Sequence, residues 1–197
     1  MKNILIMVAH LDDETFGMYG TIQKLKKDNN VLIYVMCKGR DDKNSEQRLK
    51  TIFEIYDGAN IIVDRYYDLT LDKEPQNILA NRIKNVISEN NIDVVYTNAN
   101  DLHFEHCTIN RCTKVAIRGT RVKELLEIYI PGSSDITQFN SKVLETIDID
   151  DKLDKCKMYN SEISDDVINK IKSASTFIGS EHNLGACEMF NLVFKII

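Results

Sequence analysis

Two short clusters hold the side chains best suited to chemistry. Residues 8–15 read Val-Ala-His-Leu-Asp-Asp-Glu-Thr, placing His10, Asp12, Asp13 and Glu14 directly behind the apolar run Ile4 to Val8. The second cluster, Asp101-Leu-His103-Phe-Glu-His106, follows another apolar run, Ile92 to Thr97. Together they carry three of the chain's four histidines. Ionised carboxylates are rarely buried unpaired, and a cation can neutralise them. His10 and Asp13, three apart across a turn, can reach one ion, and an imidazole from the second cluster would complete a His/His/Asp set. Three protein ligands leave a fourth position for water, as catalytic zinc sites require. A carboxylate beside such a water makes a nucleophile at neutral pH, and Asp12, pointing the other way from Asp13, is free for that work.

Only one of His103 and His106 is needed as a ligand. The other is free to act as an acid or to stabilise charge on a reacting carbonyl. Asp101, two residues before His103, could hold that ring in one tautomer. Each cluster alone also suits a plainer role, since acids favour the N-terminal end of a helix dipole and loop histidines are usually solvated. Two such clusters, each at a strand exit, argue for one metal site built from two loops.

The elements that must position them follow from periodicity. Apolar and β-branched runs recur at residues 3–9, 31–37, 60–66, 92–98 and 125–130. Between the first four lie segments of helical spacing, at residues 17–29, 45–56 and 75–90, the last with Pro75 at its first turn. A further helix is expected over 106–118, behind the second cluster. Strands alternating with helices of this length imply right-handed βαβ units, hence an α/β, Rossmann-like three-layer fold with a mostly parallel sheet. In such a fold the site lies at the C-terminal ends of the strands. Beyond Pro131-Gly132 the pattern loosens: a short strand is expected over 146–150, helices over 151–159 and 165–173, and strand or helix over 187–196. No repeat or linker breaks the chain, so residues 1–197 read as a single domain.

Composition narrows the function classes. The formal charge of −5 argues against a nucleic-acid backbone as partner. No apolar stretch is long enough to span a membrane, and the first residues read as a strand and not as a signal peptide. Five scattered cysteines without a Cys-x-x-Cys pair fit reduced thiols and a cytoplasmic location. Cys107, beside His106, could be a soft ligand but better suits a small thiol on a helix face.

At this point the residues resemble a known family. His10-Leu-Asp12-Asp13-Glu14-Thr-Phe-Gly17-x-x-Gly20-Thr-Ile22 is similar to the signature of the PIG-L/LmbE-like de-N-acetylases, zinc enzymes acting on N-acetylglucosamine derivatives. Asp101-Leu-His103-Phe-Glu105-His106 resembles that family's second motif, Asp-x-His-Pro-Asp-His. Weaker echoes are Gly39, Arg48, Asp68, Ser161-Glu162 and Ala186-Cys-Glu188-Met-Phe190. The resemblance implies Zn2+ held by His10, Asp13 and His106. It makes Asp12 the general base, His103 the general acid and oxyanion stabiliser, and Asp101 the residue orienting His103. Arg48 and Asp68 match substrate-contacting positions. The implied reaction releases acetate and a free amine from a small-molecule amino-sugar conjugate, and homo-oligomers are known in the family. Leu11, Phe104 and Glu105 depart from the family's Pro, Pro and Asp. A two-metal phosphoesterase and a non-catalytic sugar- or nucleotide-binding relative are the competing readings.

Overall fold

The computed structural model describes residues 1–40, 42–160 and 163–197. The apolar runs become strands β1 (Asn3–Val8), β2 (Asn30–Cys37), β3 (Asn60–Tyr66), β4 (Val94–Asn98) and β5 (Glu124–Ile128). These five pair in parallel. Two more strands extend the sheet, β7 (Cys187–Lys195) antiparallel to β5 and β6 (Lys142–Thr146) antiparallel to β7, so the sheet order is β3-β2-β1-β4-β5-β7-β6. Among the described residues six α-helices accompany this sheet: α1 (Asp13–Asp28), α2 (Lys43–Ile55), α3 (Gln76–Glu89), α4 (Phe104–Ala116), α5 (Ile149–Lys157) and α6 (Asp165–Ser180).

The alternation of side chains along β1 divides the core into two. Ile4, Ile6 and Val8 pack with Ile22 of α1, Ile52 of α2, Leu153 of α5 and Ile171 of α6. Leu5 and Met7 face the other way, onto Leu79, Ile83 and Ile87 of α3 and Ile109 and Cys112 of α4. Three layers result, and β1 is buried on both faces, which is why it reads as a continuous apolar run. From β1 the chain builds outward through β2 and β3, then returns to β1's other side for β4. That reversal opens a crevice at the carboxyl ends of β1 and β4, the place where open α/β sheets bind ligands. Both chemical clusters emerge there.

Two glycines let α1 lie close to the sheet. A Cβ on Gly17 would stand 2.4 Å from Ile128 Cγ2, and one on Gly20 the same distance from Ile147 Cγ2. Between them Met18 leaves helical geometry (φ −151°), so α1 is kinked where it is most tightly packed. Across that contact, buried Glu188 of β7 accepts from the backbone N–H groups of Gly20 and Thr21 and pairs with buried Lys152 of α5 at 2.8 Å.

The strand expected over 146–150 is displaced. Pairing covers Lys142–Thr146 instead, and Asp148 caps α5 by accepting from the N–H groups of Asp150 and Asp151. An Asp followed by acids suits a helix start better than a strand, and the capping bonds outweigh the β-branched pair before it. Residues 187–196, open to either state by sequence, are held as a strand by partners on both sides. Ser161 and Glu162 lie outside the described residues.

Candidate metal centre

The strands deliver each side chain for a local reason. After Val8 the chain turns through Asp12, whose φ of 148° is unusual for a residue with a Cβ. Its backbone N–H is held by Glu14 Oε2 at 3.2 Å. Glu14, fully buried, also accepts from Thr15 Oγ1 at 2.8 Å and Tyr159 Oη at 2.9 Å. It therefore buttresses the turn, and burial raises its pKa to about 7. Asp13 opens α1. After the adjacent strand β4, Asp101 and His103 lie in the loop before α4, whose first turn carries Glu105 and His106.

Three imidazoles converge here, with ring centroids 4.7 Å (His10–His103), 4.6 Å (His103–His106) and 5.3 Å (His10–His106) apart. One nitrogen from each lies within 4.8 Å of the others. The Asp13 carboxylate lies against two of them, with Oδ2 3.5 Å from His10 Nδ1 and Oδ1 3.2 Å from His106 Nε2. The far nitrogens are engaged by carboxylates. His10 Nε2 meets Glu105 Oε2 at 2.8 Å, and His106 Nδ1 meets Asp101 Oδ2 at 2.8 Å. These carboxylates orient each ring with its other nitrogen toward Asp13, the arrangement carboxylates give to metal-binding histidines.

One expectation is revised here. Asp101 does not hold the His103 ring. Its Oδ2 bonds His106, while Oδ1 accepts the backbone N–H of His103 at 2.8 Å. His106, one helical turn in, faces back toward the loop, whereas the His103 ring turns into the cavity. His103 Nδ1 is left buried without a partner among the described residues. The nitrogens of His10 and His106 and the Asp13 carboxylate between them are the donor types that a zinc ion takes.

Electrostatics follow from the crowding. Burial disfavours the charged form of His10, but hydrogen bonds to Asp13 and Glu105 outweigh it and raise its pKa. His106 is likewise raised, to about 9, by Asp13 and Asp101 against the burial penalty. Asp13 is held well below the usual carboxylate range, since His106 and His10 outweigh its own desolvation. Burial and the negative charge of Asp13 push Asp12 the other way, upward. His103 is lowered by burial and by its two neighbouring imidazoles. The two adjacent carboxylates are thereby pushed apart in pKa, Asp13 downward and Asp12 upward.

These residues line one cavity of about 330 Å³, which also takes in Arg40, Arg48, Asp68, Leu69 and Lys170. Arg48 Nη2 donates to Asp68 Oδ2 at 3.0 Å, and Asp68 Oδ1 is buried without a partner among the described residues. A second cavity of about 370 Å³, over Lys38, Lys43 and Tyr67, adjoins it at Arg40. Cys107 is no ligand: its Sγ donates to the carbonyl of Asp101 at 3.1 Å. His182 is exposed on a distant turn.

Sequence reasoning left Glu105 and Asn98 without roles. Glu105 accepts from the backbone N–H groups of Leu69, Thr70 and Leu71, each at 3.0 Å, besides holding His10. Asn98 ends β4 as a polar residue in an apolar run, and that was the available signal.

The sequence model of a family described as GlcNAc-PI de-N-acetylase (PIG-L) matches residues 5–117. No curated protein matches the chain. Among solved structures, the zinc-inhibited form of teicoplanin deacetylase Orf2 is similar with a TM-score of 0.76 and 15% identity, covering 96% of this chain and 97% of that one. N,N'-diacetylchitobiose deacetylase from Pyrococcus horikoshii gives 0.77 and 17%, over 98% and 84%. The 4-carboxy-2-hydroxymuconate hydratase GalB from Pseudomonas putida KT2440 gives 0.74 and 12%, over 100% and 98%. The fold is shared, and because it serves deacetylases and a hydratase alike, the reaction has to be argued from side chains.

Proposed function

The chain belongs to the PIG-L family, the GlcNAc-PI de-N-acetylases, and from that membership we propose that it is a zinc-dependent amide hydrolase removing an acetyl group from an N-acetylglucosamine-type conjugate. We take residues 1–197 as its one catalytic domain. The observation that carries the reading is the pair of carboxylate-held imidazoles, His10 and His106, meeting the Asp13 carboxylate in one cavity.

His10, Asp13 and His106 would hold the zinc. When bound, the ion supplies Lewis-acid polarisation of the acyl oxygen and acidifies water. Asp12, raised in pKa by burial and by Asp13, takes a proton from the attacking water. His103, held neutral by burial and its neighbours, donates a hydrogen bond to the carbonyl oxygen as negative charge develops. The water oxygen bonds to the acyl carbon, and the oxyanion's charge raises the basicity of His103, which takes up the proton held by Asp12. As the C–N bond breaks, His103 hands that proton to the leaving amine, so acetate and a neutral amine depart with Asp12 and His103 restored. Asp101 fixes His106 and the backbone at His103. Arg48 holds Asp68 in place, Asp68 Oδ1 would accept from sugar hydroxyls, and the adjoining cavity leaves room for the aglycone.

The test is elemental analysis of the parent and of His106→Ala, with acetate release from N-acetylglucosamine conjugates assayed alongside. About one zinc per chain in the parent, lost with activity in the variant, is the expected result. A parent without zinc, inactive after zinc is added, overturns the reading. Near two metals per chain would favour phosphoester hydrolysis instead.

A further inference from the structure

Asn98 is fully buried at the end of β4 and makes contacts that strand pairing alone does not require. The β1/β4 ladder stops at Met7 and Thr97. One step on, the side chain of Asn98 takes the place of the next backbone acceptor, receiving the N–H of Ala9 on Oδ1 at 2.8 Å. That bond decides which way the amide points. Its Nδ2 must then face the other way, and it donates to Asp13 Oδ2 at 3.1 Å. The strand end is itself pinned, because Asn110 Nδ2 of α4 donates to the carbonyl of Asn98 and to Glu127 Oε1, each at 2.8 Å.

The consequence falls on Asp13. Its Oδ2 already accepts the backbone N–H of His10 at 2.9 Å. With Asn98 added, that oxygen has two N–H donors, close to its capacity. Oδ1, beside His106 Nε2, has no such donor pair. We infer that Asn98 is the positioning residue of the metal site: it commits one oxygen of Asp13 to the scaffold and leaves the other to the ion, so that ion affinity depends on a residue that holds a ligand without touching the ion. The inference rests on the amide-hydrolase reading and deepens it. Its physical basis is preorganisation, since a carboxylate locked before the ion arrives loses little freedom on binding it.

The experiment measures zinc affinity, by competition against a chromogenic chelator, for the parent and for Asn98→Ala in the full chain. Circular dichroism and thermal melts of the zinc-free proteins are recorded in parallel. Outer-sphere partners of this kind are typically worth ~10–100-fold in metal affinity, and a loss in that range with a native spectrum is expected. Should the Ala variant not fold, Asn98→Ser, which keeps a small polar group at Ala9 but is too short to reach Asp13, gives the same reading. A merely structural Asn98 would lower the melting temperature and leave zinc affinity changed by less than ~10-fold, and that outcome overturns the inference. A parent that takes up no zinc sinks the hydrolase reading itself. A parent that binds zinc beside variants that bind it equally well sinks only the role of Asn98.

Discussion

At the scale of single residues, the site works by giving like groups unlike surroundings. Asp12 and Asp13 are neighbours in sequence, yet Asp13 lies between two imidazoles, whereas Asp12 is desolvated beside the negative charge of Asp13. The first is thereby suited to hold a cation and the second to accept a proton. Asp12→Ala is therefore expected to keep its zinc by elemental analysis while acetate release falls roughly 10²–10⁴-fold, the usual worth of a general base. Activity within a few-fold of the parent would show that another group takes the proton. The same logic of surroundings applies to the thiols. Cys37, Cys112 and Cys156 are buried, and desolvation raises all three, Cys112 to about 11 and Cys156 to about 12. They serve as packing groups.

At the scale of elements, the site depends on how closely α1 approaches the sheet. The N-terminal turn of α1 supplies Asp13 and Glu14, and Gly17 and Gly20 allow the helix to settle against Ile128 and Ile147. A methyl at position 20 would meet Ile147 Cγ2 at 2.4 Å and Cβ at 2.8 Å, and neither atom is the far end of a flexible chain. Alanine is the better helix former by about 1 kcal/mol, but overpacking typically costs about 1–3 kcal/mol. The close approach to a branched side chain makes the second term win. Gly20→Ala should lower the stability measured by denaturant titration, and an unchanged or raised midpoint would mean that α1 yields more readily than its packing implies.

At the scale of the whole molecule, buried polar groups tie the layers together. Glu127 of β5 is buried among Lys114 and Asn110 of α4 and Asn191 of β7, at 2.6, 2.8 and 2.8 Å. Desolvation acts to raise its pKa, but Lys114, Asn191 and Asn110 outweigh it and hold it below the usual range. A carboxyl whose pKa is lower folded than unfolded contributes stability that is fully present above its unfolded value. That contribution is lost as the pH falls through the folded value. The parent should therefore lose melting temperature below about pH 4.5, near the ordinary Glu pKa. Glu127→Gln should show a flatter profile there and a lower plateau at neutral pH. Parallel profiles for the two proteins would remove Glu127 from the account. No helix among the described residues is long and apolar enough to cross a membrane.

By itself the sequence determined the strands and helices of the first 130 residues, because burial on both faces of the parallel strands and on one face of each helix leaves a periodic apolar record. It also determined the identity of the chemical groups and that they leave the sheet at strand ends. Tertiary structure alone decided which group each one meets. That β1 and β4 are neighbours follows from the reversal of strand order, which no local pattern encodes. That Asp101 serves the His106 ring and not the His103 ring follows from the first turn of α4. The offices of Asn98 and Glu105 rest on hydrogen-bond partners some 35 to 90 residues away in the chain. Near residue 146, the Asp148 cap starts α5, and pairing with β7 sets the strand before it at Lys142–Thr146. Periodicity reports what an element buries, and contacts across the fold report what a side chain is for.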